Sequence, residues 1–144
     1  MNKKKKIIQV PYIDQSVKYP TGCESVSTVM LLQYLGYDIS VDEFIADYLE
    51  MKAFEEREGQ LFGADPNLYF CGSPYDKDSF GCYAPVICKA LEKAVGDKFH
   101  IVNETDTEIE ERLLTSSNLI FLSWKHCRHY GICIYCVLGG YACF

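Results

Sequence analysis

Histidine is almost missing from this sequence. Its 144 residues hold three, His100, His126 and His129, so any reaction that needs an imidazole must draw on these. Past Asn118 there is neither Asp nor Asn, and past Arg112 no acidic residue at all, so the last part of the chain lacks the group that usually orients a catalytic imidazole. Long apolar runs are also absent. Nothing approaches the ~18 apolar residues of a membrane span, and the lysines at 3–6 are followed by Ile7 and Ile8 rather than by the ~7–15 apolar residues of an export signal. Basic clusters are confined to that one tetralysine, and the formal net charge is −6, which argues against a nucleic-acid partner. There is no internal repeat and no low-complexity tract. These absences lead to an expectation of a soluble, cytoplasmic chain whose residues 1–9 form a solvated basic extension.

What is present is apolar bulk and sulfur. With 49% of residues apolar, the remaining stretch, 10–144, can bury the core of one domain. Eight cysteines would imply a disulfide framework in a small secreted protein, but without an export signal free thiols are expected. Most read as core: Cys88 falls on the apolar face of a helix, and Cys133 and Cys136 sit among Ile132, Ile134 and Val137. Cys23 has a different setting. It stands in Gly22-Cys23-Glu24, just ahead of a long apolar helix pattern, with Gln15 eight positions upstream. A thiol in the first turn of a helix lies at the positive end of the macrodipole, which favours the nucleophilic thiolate. A glutamine amide beside it, together with the Cys23 backbone N–H, suits the two donors that a tetrahedral oxyanion requires.

Local signals mark the elements. An extended segment over 7–12 leads into a loop with Pro20 and Gly22, and a central, buried helix over 24–35 is stopped by Gly36. Ser40 and Glu43 form a capping box, with Ile39 and Phe44 at the staple positions, and the helix that follows sets Phe44, Ile45, Tyr48 and Leu49 against Asp42, Glu43 and Asp47. Between 59 and 81 the periodicity fails. Gly63, Pro66, Gly72 and Pro74 mark turns there, and the aromatic content predicts an ordered loop lining a cleft. A third helix is expected over 84–95, with Pro85 in its first turn and Gly96 behind it. Strands at 99–102 and 119–124 flank a short helix that begins at the Thr105 and Glu108 capping pair.

Several ordered motifs carry a resemblance. Val10-Pro11-Tyr12, Gln15, Pro20-Thr21-Gly22-Cys23-Glu24-Ser25-Val26-Ser27, Asp42-Glu43-Phe44-Ile45, Asp65-Pro66-Asn67, Gly72-Ser73-Pro74-Tyr75 and Gly81-Cys82-Tyr83-Ala84-Pro85-Val86-Ile87 together look like the bacterial cysteine peptidase family thirty-nine-like domain. That group is related to the bacteriocin leader-processing peptidases. The resemblance implies an α+β, papain-like cysteine peptidase fold, a helical lobe plus a small, incomplete antiparallel sheet. It also implies Cys23 as nucleophile, Gln15 as oxyanion donor, no cofactor, and a peptide or protein substrate.

The family's histidine starts a late strand, and its Asp follows a Gly-Tyr pair. Gly140-Tyr141 resembles that pair, but Ile134 and Tyr135 occupy the positions where the histidine would fall, so the tail reads as divergent or truncated. His100 lies in a position the family does not use, and His126 is expected in the turn after Trp124. His129, at the start of a last strand over 130–138, is assigned as the general acid/base. His126, Cys127, His129, Cys133 and Cys136 are also five potential zinc ligands, although their strand-like interleaving with Tyr130, Ile132, Ile134 and Val137 speaks against a tetrahedral site. The sequence therefore leads to hydrolysis of a peptide or amide bond through a thioester on Cys23. The alternative is a catalytically impaired papain-like domain that binds peptide or protein. Nothing in it fixes an oligomeric state.

Overall fold

A computed structural model describes residues 10–96 together with the backbone pairing of strands at 120–126, 132–138 and 141–142. The chain divides into two compact units, Pro11–Asn103 and the combination of Met1–Val10 with Glu104–Phe144. Helices and small sheets are both present, an α+β composition.

The Pro11–Asn103 unit is built around α1, Cys23–Tyr34. Val26, Val29, Leu31 and Leu32 are buried, as are the polar Glu24, Ser25 and Thr28, so this helix has a core-facing surface around most of its circumference. Gly36 ends it as expected. At φ 89° it turns the chain into the left-handed region, and the N–H groups of Gly36 and Tyr37 reach back to Gln33 and Leu32 O at 3.0 Å each, which is a Schellman closure.

The capping box forms as the spacing demands. Glu43 N–H donates to Ser40 Oγ at 3.2 Å, and Ser40 N–H donates to the Glu43 carboxylate at 3.5 Å. However, regular α geometry lasts only for α2, Val41–Glu43, and gives way to a π turn, Phe44–Tyr48, closed by Leu49 N–H on Phe44 O at 3.1 Å. The wider turn still leaves Phe44, Ile45 and Leu49 in the core. Helix α3, Ala84–Val95, starts with proline in its first turn and ends at Gly96 (φ 59°), and it buries Val86, Ile87, Ala90, Leu91 and Val95 along one stripe. Lys89 and Lys93 both donate to the Glu50 carboxylate at 2.7 Å, which fastens α3 to the segment after the π turn.

The stretch expected to be irregular, 59–81, is ordered and contributes one strand to each of two short pairs. β1, Met51–Lys52, runs parallel to β4, Phe70–Cys71, while β2, Glu55–Arg57, and β3, Gln60–Phe62, form a hairpin. Its turn residues, Glu58 and Gly59, both have positive φ, 51° and 75°, the handedness that a two-residue hairpin connection needs. Further on, side chains stand in for backbone pairing: Asp65 accepts from Asn67 N–H at 2.9 Å, Asp76 from Asp78 N–H at 3.0 Å, and Ser79 Oγ from Ser73 N–H at 2.7 Å. Beside the hairpin lies a cavity of about 210 Å³ lined by Lys52, Ala53, Glu55, Arg57, Phe62, Gly63 and Ala64. It shares no residue with the surroundings of Cys23 described below.

In the other unit, β5, Ile120–His126, pairs antiparallel with β6, Ile132–Leu138, which in turn pairs with β7, Tyr141–Ala142. His126 is the last residue of β5, opposite Ile132, and not part of a turn. The pairing runs two residues past Trp124 because Lys125 and His126 continue the ladder against Cys133 and Ile132. His100, His129 and the expected elements at 99–102 and 105–114 lie outside the described residues, as do residues 1–9.

Candidate functional site

A loop and two clamps fix the first turn of α1. Tyr19 N–H donates to Gln15 O at 2.8 Å and Gly22 N–H to Tyr19 O at 3.0 Å, so 15–22 is a chain of turns that ends at the helix. From one side Asp42 holds it: Tyr19 Oη donates to Asp42 Oδ1 at 2.9 Å, and the Lys18 ammonium pairs with Oδ2. Tyr75 Oη reaches the same Oδ1 at 2.9 Å, its ring centroid 5.5 Å from that of Tyr19. From the other side the 73–76 segment holds it, since the Thr21 hydroxyl lies 2.7 Å from Asp76 O and 3.1 Å from Ser73 O. Gly22 completes the fit. A Cβ there would stand 2.9 Å from Tyr19 Cβ and 3.1 Å from Pro74 Cβ, so only glycine lets the two walls close on the N-cap.

Cys23 is the first residue of α1, in the first turn where the sequence pattern places it although the helix begins one residue earlier than expected, and it is half-buried. The thiol donates to Glu24 Oε2 at 3.2 Å, and Glu24 is buried, with Oε1 accepting from Cys82 N–H at 3.5 Å. Burial first, then the Glu24 charge and this hydrogen bond, push the Cys23 thiol up to about 12. That is the reverse of the lowering expected from the helix terminus. Cys82 is pushed up as well, by burial and by the charge of Glu24 with Cys23 and Cys71 behind it. Gly81 makes this geometry possible: its φ is 99°, and a Cβ at that position would lie 2.8 Å from Glu24 Oε1.

Gln15 is half-buried in the loop that delivers Cys23, and its carbonyl is the acceptor that starts the turn. His129 lies outside the described residues, so nothing is placed beside Cys23 by that assignment. Two residues with evident roles had no role in the sequence reading. Asp42 stands in the sequence only as one of the acidic residues opposite the apolar side of its helix, yet it is the anchor for Lys18, Tyr19 and Tyr75. Glu24 appeared only as a member of the Gly-Cys-Glu motif, yet it is the partner of the thiol. Adjacency to Cys23 was the one signal available.

Among the described residues no group of three or more His, Cys, Asp or Glu could hold a metal ion. Of the five potential zinc ligands, Cys127 and His129 fall outside the described residues, while Cys133 and Cys136 face Lys125 and Leu122 in the ladder. The four described cysteines, Cys23, Cys71, Cys82 and Cys88, are free thiols. Among the described residues no helix is long and apolar enough to cross a membrane.

A family model described as Peptidase_C39 like family matches residues 7–116. That span contains Gln15, Cys23, Glu24 and Cys82, and stops before His126 and His129. No curated protein and no solved structure matches the chain.

Proposed function

We propose, since the chain belongs to the Peptidase_C39 like family, that it is a cysteine peptidase or amidase with a papain-like fold, acting on a peptide or protein. The observation that carries this reading is Cys23 itself, a half-buried thiol at the first residue of a core helix, held there by a loop that also contains Gln15. In the proposed reaction His129 takes the thiol proton and Cys23 Sγ attacks the carbonyl carbon. The oxyanion is held by the Cys23 backbone N–H and the Gln15 amide. As the intermediate collapses, the C–N bond breaks, the amine leaves with the proton from His129, and a thioester remains on Cys23. Water, deprotonated by the same imidazole, then releases the acid and restores the thiol. No cofactor takes part. Free thiols at all four described cysteines suit a reducing compartment, and the proposed location is the cytoplasm. Residues 1–9 are the basic extension of a domain that runs from 10 to 144.

The alternative is a papain-like binding module that holds a peptide without cutting it. One observation favours it: Cys23 Sγ lies 3.2 Å from the Glu24 carboxylate, a contact that, together with burial, opposes the thiolate. Turnover separates the two. Peptide hydrolysis by the purified chain, lost in Cys23→Ala and reduced by ~10²–10³ in Gln15→Ala at unchanged melting temperature, is the outcome expected of the enzyme. Peptide retained by both the parent chain and Cys23→Ala, with no product from either, identifies the module.

A further inference from the structure

A carboxylate buried as deeply as Glu24 is costly unless donors compensate it. No ion pair among the described residues involves Glu24. Its side chain has two donors, the Cys23 S–H at 3.2 Å and the Cys82 N–H at 3.5 Å. The space it occupies is made for it, because residue 81 carries no side chain and any Cβ there would sit 2.8 Å from Oε1. At the second residue of α1 a glutamate has an easier choice, pointing to solvent beside the helix N-terminus. Its inward position needs a reason, and the thiol beside it supplies one.

We propose that Glu24 is a latch on the nucleophile: its carboxylate, moored at one oxygen by the Cys82 N–H, accepts the Cys23 S–H at the other and keeps the thiol protonated at rest. Loss of that proton would remove one of the carboxylate's two donors and set a second negative charge within ~4 Å of the first, and both effects oppose thiolate formation. The groups that set the balance are Glu24 on α1 and, across from it, Cys82 with Cys71 behind it, whose thiols are themselves held neutral by burial. The latch opens when a base brought to the site takes the S–H directly and becomes the counter-charge. Glu24 is thus a positioning residue that makes reactivity conditional on the arrival of that base.

The inference rests on Cys23 being the nucleophile of the proposed peptidase, but its test needs no turnover. Cys23 labelling by limiting iodoacetamide, followed by peptide mapping across pH 6 to 9, reads the thiolate fraction whether or not any peptide is cut. With the thiol pushed up to about 12, thiolate at neutral pH is scarce, and each unit recovered raises the labelling rate about tenfold. Glu24→Gln keeps the shape, removes the charge and offers an N–H to the thiolate. It is expected to label Cys23 at least about tenfold faster than the parent at pH 7.5, with its pH profile shifted to lower pH. Glu24→Asp, which keeps the charge but withdraws it by one methylene, is expected to fall between them and serves if the glutamine variant does not fold. Labelling at the parent rate in either variant overturns the latch. Slower labelling does so too, and identifies Glu24 instead as the acceptor that activates the thiol.

Discussion

Gly22→Ala tests how tightly the walls around Cys23 close. The backbone there, φ −97° and ψ 22°, is open to alanine, so the cost is steric and not conformational. The added Cβ meets Tyr19 Cβ at 2.9 Å and Pro74 Cβ at 3.1 Å, whereas carbons pack comfortably at ~3.5–4.0 Å. Neither neighbour is a yielding side-chain tip. Tyr19 is pinned through its hydroxyl to Asp42, and Pro74 is a buried ring. Overpacking of this kind costs about 1–3 kcal/mol, and alanine is also poorer than glycine as an N-cap by several tenths. A loss of unfolded-state entropy returns about 0.4–1 kcal/mol, so a net destabilisation of about 1–3 kcal/mol remains. At ~2.1 cal/mol/K per residue, 144 residues unfolding together have an entropy of roughly 0.3 kcal/mol/K, which converts this to a fall in Tm of roughly 3–10 °C. Thermal unfolding followed by circular dichroism measures it. A Tm within about 1 °C of the parent would show that Tyr19 and Pro74 give way freely and that the clamp described above is not rigid.

Two further outcomes follow from charges on the same unit. Glu50 is held down at about 2 by hydrogen bonds from Lys89 and Lys93, so its contribution to stability is fully present above its ordinary value of 4.5 and is lost as pH falls through about 2. The Tm difference between the parent and Glu50→Gln should accordingly shrink across that window and diminish in high salt, because the pair is exposed; a difference that stays constant from pH 6 to 2 contradicts the assignment. Tyr75 is pushed up to about 12 by burial, then by its hydrogen bond to Asp42 and the Asp42 charge. Tyr19, which donates to the same Asp42 oxygen, is raised in the same direction, so Asp42→Asn should bring both tyrosine ionisations to lower pH in an ultraviolet titration, and an unchanged titration curve would mean that these contacts with Asp42 do not persist in solution.

The elements that could be read from sequence are those decided by neighbours within a turn or two. Ser40 and Glu43 are three residues apart, Gly36 closes its helix through bonds reaching back at most five residues, and Pro85 and Gly96 stand at the ends they govern. The Glu58-Gly59 hairpin was not legible, because glutamate at φ 51° is an uncommon occupant of a position usually signalled by Asn or Asp. Nor were the contacts of Asp42 with Lys18 and Tyr75, which join residues 24 and 33 positions apart. The candidate nucleophile divides along the same line. That Cys23 begins a helix is a local fact, and the pattern showed it. Its protonation depends on a rotamer and on a distant segment: consecutive helix residues point about 100° apart, and Glu24 turns back onto Sγ while the Cys82 N–H, 58 residues on, donates to its other oxygen. Magnitude decides between the two influences. A helix terminus is worth about 0.3–2 kcal/mol, at most roughly one and a half pKa units, while burial and the carboxylate carry the thiol from its ordinary 9.0 to about 12. The larger influence is the one no local pattern encodes, so the place of Cys23 on its helix can be read from nearby residues, whereas its protonation, set by burial first and by Glu24 second, cannot.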